Sequence, residues 1–482
     1  MIEEKIAVVS VDKIVYPSNA SLFRPGRPYA EYLWKNEISE YENYVYDAVR
    51  NAFKELGLDK ERYGTCEWNP LGDYIKTGNS VLIKPNMVMH NNLSGNGNEC
   101  LYTHPSVVAA VIDYVVIALK GNGKIIVGDA PMQECNWNDL IENSGYSKLC
   151  EWYSSKGIDI QLVDFRGLVS EVEHGMYIQK INENTPGQIV RLNENSEFAN
   201  LDNQIQKNMR ITNYEPSELL KHHHDKTHEY CISQYLLDAD VVIDMPKPKS
   251  HRKAGFTGAL KNFVGVNIRK EYLPHHTQGA AEQHGDEYNK KSLMHLFQSH
   301  LVDKRNYYMF NNMKKKVHIC NLAIKASGLF LNKSNYFEGS WWGNNTISKT
   351  IADINKIVCY ASKTGELCEI PQRKILCVAD MVIAGEKEGP VLPEPKEAGL
   401  IVAGDNLLCV DEVICTLMGF DVNKVPVLNC VRNVREYSIS NNSIPFIVSN
   451  CAKYNKKRIG EIDKKDLLSF IPTNGWKGHI EL

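Results

Sequence analysis

No two of the thirteen cysteines stand in Cys-x-x-Cys spacing; they are scattered singly from Cys66 to Cys451. That excludes the local patterns of a zinc ribbon or a ferredoxin-type cluster, so there is no iron–sulfur motif. Thirteen free thiols in a reducing compartment need no disulfide framework, and Cys409 and Cys415, set in an apolar run, read as inert buried thiols. A dominant charge sign is missing too. At a net charge of -3 there is no global attraction to nucleic acid or anionic membrane, and such binding would need a local patch. No nucleic-acid partner is expected. Long hydrophobic runs are absent: "VVAAVIDYVVIAL" (107–119) is too short to span a bilayer and carries Asp113. The first residues, "MIEEKIAVVSVDK", are acidic and lack the basic start of a signal peptide, which points to the cytoplasm. There is no Walker spacing, no internal repeat and no Pro- or Ser-rich linker.

What is present is a globular composition, 43% hydrophobic and 23% charged, which rules out disorder as the default. Short apolar runs alternate with helical patterns. "IAVVSV", "SVLIKPN", "KIIVGDAP" and "IDIQLVDF" read as strands. "YVYDAVRNAFKELG", "THPSVVAAVIDYVVIALKGNG" and "LIENSGYSKLCEWYSSKG" read as the helices between them. Thr103 is the cap candidate of the second helix, with Pro105 in its first turn. "DADVVIDMP", "RKILCVADMVIAG" and "GLIVAGDN" continue the pattern. Nearly continuous Val, Ile and Leu predicts strands buried on both faces, hence an α/β fold with a mostly parallel, doubly wound sheet. Residues 1–482 are read as one elaborated domain, with polar insertions at 170–230 and 265–350.

In open α/β sheets, ligands bind beyond the carboxyl ends of strands. Here those ends repeatedly carry charge or glycine: Lys84 and Asn86; Gly128 and Asp129; Asp244 followed by Lys247, Lys249 and His251; Asp380; Gly404 and Asp405. A single aspartate of this kind is as readily a turn or cap residue, but five such endings in one chain are not all turns. "PKPKSHRK", joined to an apolar strand, reads as an anion site. "GFTGALKNFVG" adds Gly255, Gly258, Thr257 as the cap of a short helix, and Lys261 and Asn262, a workable phosphate or carboxylate cradle.

These segments together resemble the family catalogued as domain of unknown function 362. The likeness rests on "VLIKPNMV", "THPSVVAAVIDYV", "IIVGDAP", "DADVVIDMPKPKSHRKAGFTGALKNFVG" and "VADMVIAGEKEGPVLPEPKEAGLIVAGDNLLCVDEVICTLMGFD". It implies the α/β fold and no particular reaction. "YLPHH…GDEY" looks like a branch associated with polysaccharide gene clusters. Many members carry a ferredoxin-like module, which this sequence lacks.

The stretch 261–288, "KNFVGVNIRKEYLPHHTQGAAEQHGDEY", has no helical or strand period yet concentrates titratable groups. Adjacent histidines on an extended strand point to opposite faces. His275 with Asp286 and Glu287 is therefore read as a set for a divalent ion (magnesium, manganese or zinc), and His276 as an acid–base group. A second cluster, "KHHHDKTHEY", includes His228. The functional expectation is a cytoplasmic enzyme acting on an anionic, phosphorylated or carboxylated small molecule, such as a sugar-linked intermediate. Its catalytic residues would be His276, Asp244 and Lys261. Lys84, Asn86, Asp129, Lys247, Lys249, His251 and Asn262 would bind substrate. Two alternatives are a redox protein sharing an iron–sulfur centre and a non-catalytic binding protein of a polysaccharide pathway.

Overall fold

The structure, a computed structural model, describes residues 2–18, 21–173, 176–182, 184–328, 337–441 and 443–482. Among them an eleven-stranded sheet carries the α/β fold. In chain order its strands are β1 Glu3–Ser10, β2 Ser80–Pro85, β3 Lys124–Asp129, β4 Ile160–Asp164, β5 Val241–Met245, β6 Lys249–His251, β7 Gly255–Thr257, β8 Lys374–Glu388, β9 Leu392–Gly404, β10 Ile444–Val448 and β11 Lys457–Arg458. Across the sheet they run β11-β10-β1-β9-β8-β5-β2-β3-β4, with β6 beside β8 and β7 beside β6.

Most pairs are parallel: β4 with β3, β3 with β2, β2 with β5, β5 with β8 and β1 with β10. β2, β3 and β5 are buried on both faces, whereas β4 and β10 are only partly buried. Val81, Ile83, Val241 and Ile243 join one hydrophobic cluster, while Leu82 and Val242 join the other. The first cluster is covered by α1 Tyr44–Leu56, α2 Pro105–Leu119, α3 Trp137–Ser144 and α4 Tyr146–Ser154. The second lies under α5 Ala259–Asn262, α8 Thr346–Tyr360 and α9 Leu407–Leu417. Residues 168–219 add a small separate core that includes Leu168, Phe198 and Tyr214. No helix of the described residues is long and apolar enough to cross a membrane.

Three local expectations fail for physical reasons. β8 and β9 pair antiparallel, not parallel. Only three residues separate them, and a parallel crossover needs a dozen or more. The helix read through 140–157 is two helices, broken where Gly145 takes φ +88, a left-handed turn. Thr103 does not cap α2. His104 does, accepting from the Ser106 N–H, while the Thr103 hydroxyl donates to the Met245 carbonyl at 2.6 Å.

One buried acid in this layer makes a clean prediction. Asp113 of α2 is enclosed, takes a 2.5 Å hydrogen bond from the Tyr153 hydroxyl, and is pushed up to about 8 by burial. Between the ordinary carboxylate range and about 8, the folded chain holds a proton that the unfolded chain releases. Stability therefore falls as pH rises through that window. Asp113→Asn removes the loss: its melting temperature should gain on that of the parent as pH rises from about 4 to 8, with the smallest difference at the acid end. A parallel pair of melting curves across pH would refute the assignment.

Candidate functional site

The connection leaving β2 runs toward β3, and the one leaving β5 runs toward β8. The strand order thus reverses between β2 and β5, where an open α/β sheet leaves a crevice at its carboxyl rim. The polar residues at these strand ends meet there. Lys84, fully buried at the end of β2, pairs with Asp129 at the end of β3 at 2.8 Å. Its ammonium also donates to the Pro85 carbonyl at 3.0 Å and to the Asn262 side-chain oxygen at 3.2 Å. Asp129 takes the N–H groups of Met87 at 2.7 Å and Ala130 at 2.8 Å. Gly265 passes so close that a Cβ there would lie 1.9 Å from the Asp129 carboxylate.

Asn262 ties this pair to β5: its amide donates to the Lys84 carbonyl at 3.0 Å and to Asp244 at 2.7 Å. Asp244 is wholly enclosed, and burial pushes it up to about 8. One of its oxygens holds the Asn262 amide, and the other is buried with no hydrogen-bond partner among the described residues. Lys249 donates to Asn86 at 2.8 Å. The short helix carrying Lys261 and Asn262 is capped by Asp411 of α9, whose carboxylate takes the Ala259 and Leu260 N–H groups at 2.6 and 3.0 Å. Thr257, expected as the cap, donates instead to backbone carbonyls, that of Lys247 at 3.2 Å.

Around this frame stand five cations: Lys249, Arg252, Lys253, Lys261 and Lys270. Among the described residues none of them pairs with a carboxylate, and Lys261 makes no hydrogen bond. Burial pulls Lys249 down to about 7, Lys261 to about 8 and Lys253 to about 8, and lowers Lys270 as well. The acids that act on them are Asp129 on Lys249 and Lys261, Glu338 and Asp286 on Lys253, and Glu134 and Glu338 on Lys270.

Two imidazoles share this field. His251 is held well below its usual range by burial first, then by Lys261, Arg252, Lys249 and Lys253. Its Nδ1 accepts from the N–H groups of Lys253 and Ala254, both at 3.1 Å, so the neutral ring carries its proton on Nε2. His275 is depressed by burial, then by Lys270 and Lys253. Its Nδ1 lies 2.6 Å from the Leu273 carbonyl and must donate, which leaves a lone pair on Nε2. One ring thus offers a donor and the other an acceptor.

A sequence profile for Domain of unknown function (DUF362) matches residues 81–191 and 182–416, well over half of the chain. The chain belongs to the DUF362 family. The Thylakoid-associated protein sll1697 of Synechocystis sp. is 30% identical over 197 residues, 40% of this chain and 41% of that protein. The chain thus spans about two fifths of that relative's length. A Thermotoga maritima protein of known crystal structure aligns with 77% of this chain and 58% of its own, at 10% identity and a TM-score of 0.33. The DUF362 match includes Lys84 through Lys270, so every member of the cationic rim falls inside the family region.

Other expected members of the DUF362 site are placed elsewhere. Lys247 is not available to an anion: it is buried against Asp380 at 2.9 Å, and Asp380 also takes the Tyr16 hydroxyl at 2.7 Å. His275, Asp286 and Glu287 do not form a ligand set. Asp286 takes four donors, including the Asn345 and Thr346 N–H groups, which makes it the cap of α8. Glu287 is buried, pushed up to about 8, and accepts the Gly279 N–H. Among the described residues no group of three or more His, Cys, Asp or Glu could hold a metal ion. His276 is buried with Nδ1 unpartnered, its pKa held low by burial and then by Lys253, while Lys261 adds to the depression of His275. Arg252, Lys253 and Lys270 were missed; all three were visible as the basic residues of "SHRK" and "IRKEY".

Proposed function

We propose that this chain is an enzyme that binds a phosphorylated or carboxylated small molecule at the carboxyl rim between β2 and β5. The observation carrying this reading is the set of five enclosed or half-enclosed cations with no carboxylate partner among the described residues. A lone buried ammonium is costly, and an anionic ligand with several oxygens supplies the missing counter-charge. A diphosphate group, as in a nucleotide- or lipid-linked sugar, matches the number of donors better than a single carboxylate. His251 would donate from Nε2 to a ligand oxygen, and His275 would accept a proton at Nε2. Where a divalent ion takes part, it would enter with the phosphate oxygens, which are its ordinary ligands.

The test is thermal melting with inorganic pyrophosphate, sugar nucleotides and small carboxylates, with and without magnesium, manganese or zinc. A fitting ligand at about one hundred times its Kd stabilises by about 2.7 kcal/mol. Lys261→Met should abolish that gain while leaving the unliganded melting temperature within a few degrees. If no anion shifts the melting temperature, or Lys261→Met binds as the parent does, the reading fails.

Affinity should also depend on pH. The anion binds the ammonium forms, so it raises the lysine pKa values and binding takes up protons. With Lys249 near 7 and Lys253 and Lys261 near 8, Kd should climb as pH goes from 7 to 9. Calorimetry in buffers of different ionisation enthalpy would register the uptake. An affinity constant over this window, with no net proton uptake, would contradict it.

A further inference from the structure

Within the insertion that follows the cationic rim, α6 Leu293–Phe310 and α7 Lys314–Gly328 pack against each other as a helical hairpin. Its patterning is mixed. The buried face of α6 holds the polar side chains His295, Gln298, Ser299 and Asn306 beside Val302, and α7 buries Val317 and Cys320. The large apolar side chains point outward: Leu293 is 85% exposed, Ile319 64%, Leu322 56% and Phe297 52%. Phe310 and Tyr307 add to the same outward set.

The charge of this hairpin is equally uneven. Residues 290–328 contain eight lysines and arginines and a single acid, Asp303, in a chain whose net charge is -3. Asp303 is already engaged by Arg210 at 3.2 Å. Lys304, Lys314, Lys315, Lys316 and Lys325 are all exposed. Lys316 lies over the Tyr308 ring at 5.0 Å, which leaves its aliphatic stem along apolar surface.

We propose that this hairpin is a peripheral docking surface for an anionic lipid bilayer. Exposed Leu, Ile and Phe beside lysines, with almost no acid, present both apolar and cationic groups to a headgroup boundary. Bound there, the apolar side chains enter the acyl boundary and the ammonium groups meet lipid phosphates. Another protein or a second copy of this chain would also cover the apolar residues. Eight cations against one acid in the hairpin itself fit a surface of uniform negative charge, and self-association through the acidic remainder of the chain is the alternative that the test separates. The anchor is rigid: Gln278, two residues beyond His276, donates to Ser299 at 2.7 Å and to Asp303 at 3.0 Å. The proposal does not depend on the ligand assigned to the rim.

Flotation of the purified full-length protein tests it, using vesicles of phosphatidylcholine alone and of phosphatidylcholine mixed with phosphatidylglycerol. The protein should float with the mixed vesicles at low salt and much less with the neutral ones, and it should be released by raised salt. Lys314→Ala/Lys315→Ala/Lys316→Ala should weaken binding at least about tenfold. Phe297→Ser/Ile319→Ser/Leu322→Ser should do the same, with circular dichroism melting unchanged in both. Failure of the parent protein to float overturns the proposal, and so does flotation that both variants retain. Concentration-dependent dimers dissolved by the serine variant, without vesicle binding, would reassign the surface to self-association and also overturn it. Pyrophosphate binding at the rim is read separately and is unaffected by any of these outcomes.

Discussion

Replacing Asp380 by Ala is expected to destabilise the protein by about 3–5 kcal/mol, the range for removing one partner of a buried ion pair. Asp380 and Lys247 are both fully enclosed and lie 2.9 Å apart. The carboxylate also takes the Tyr16 hydroxyl at 2.7 Å, the His104 N–H at 2.9 Å and the Val382 N–H at 3.2 Å. The alanine would strand an ammonium in the core and leave three further donors unmet, each costing on the order of 1–3 kcal/mol of its own. The same acid fixes the loop bearing Tyr16, which stacks on His104 at 3.9 Å, to the start of α2. Urea denaturation followed by tryptophan fluorescence measures the loss. The double variant Lys247→Met/Asp380→Leu should recover most of it, because no charge remains to be solvated. A single-variant loss below about 1 kcal/mol would mean the pair is not closed in solution.

Asp129→Ala is expected to cost a similar 3–5 kcal/mol and to disorganise the rim as well. Lys84 would lose the carboxylate it pairs with while still walled in by Pro85 and Asn262. Met87 and Ala130 would lose the acceptor that turns the chain at the ends of β2 and β3. The functional consequence separates this site from Asp380. Lys261 also faces Asp129, so a stability-restoring Lys84→Met/Asp129→Leu change should regain the fold and still bind pyrophosphate differently from the parent. Equal pyrophosphate affinity in that double variant would place the anion elsewhere.

The parallel strands were legible because burial on both faces forces a composition, nearly unbroken Val, Ile and Leu, that little else produces. The helix Pro105–Leu119 was legible for a similar reason, and its cap was misplaced by one residue. What could not be read locally was any contact closed by a distant residue. Lys247 and Lys249 look alike in "KPK", and only Asp380, 133 residues on, separates an internal ion pair from an ammonium that donates to Asn86. The cap of Ala259–Asn262 comes from Asp411, 152 residues from Ala259, and leaves no local signature. Asp286 resembled a metal ligand because a carboxylate near histidines satisfies that pattern. Three of its four donors come from Asn345 and Thr346, about sixty residues on, at the start of α8.

The edge of the sheet near the chain ends has a kinetic consequence. Residues 3–10 lie between β9 and β10, so their hydrogen-bond partners begin at residue 400 and finish at 448. A ribosome adding about 5–20 residues per second needs roughly 20–80 s to make that span. Throughout synthesis the first strand therefore waits with unpaired amides and with Ile6 and Val8, which pack in the cluster under α9, uncovered, a natural client for a holding chaperone.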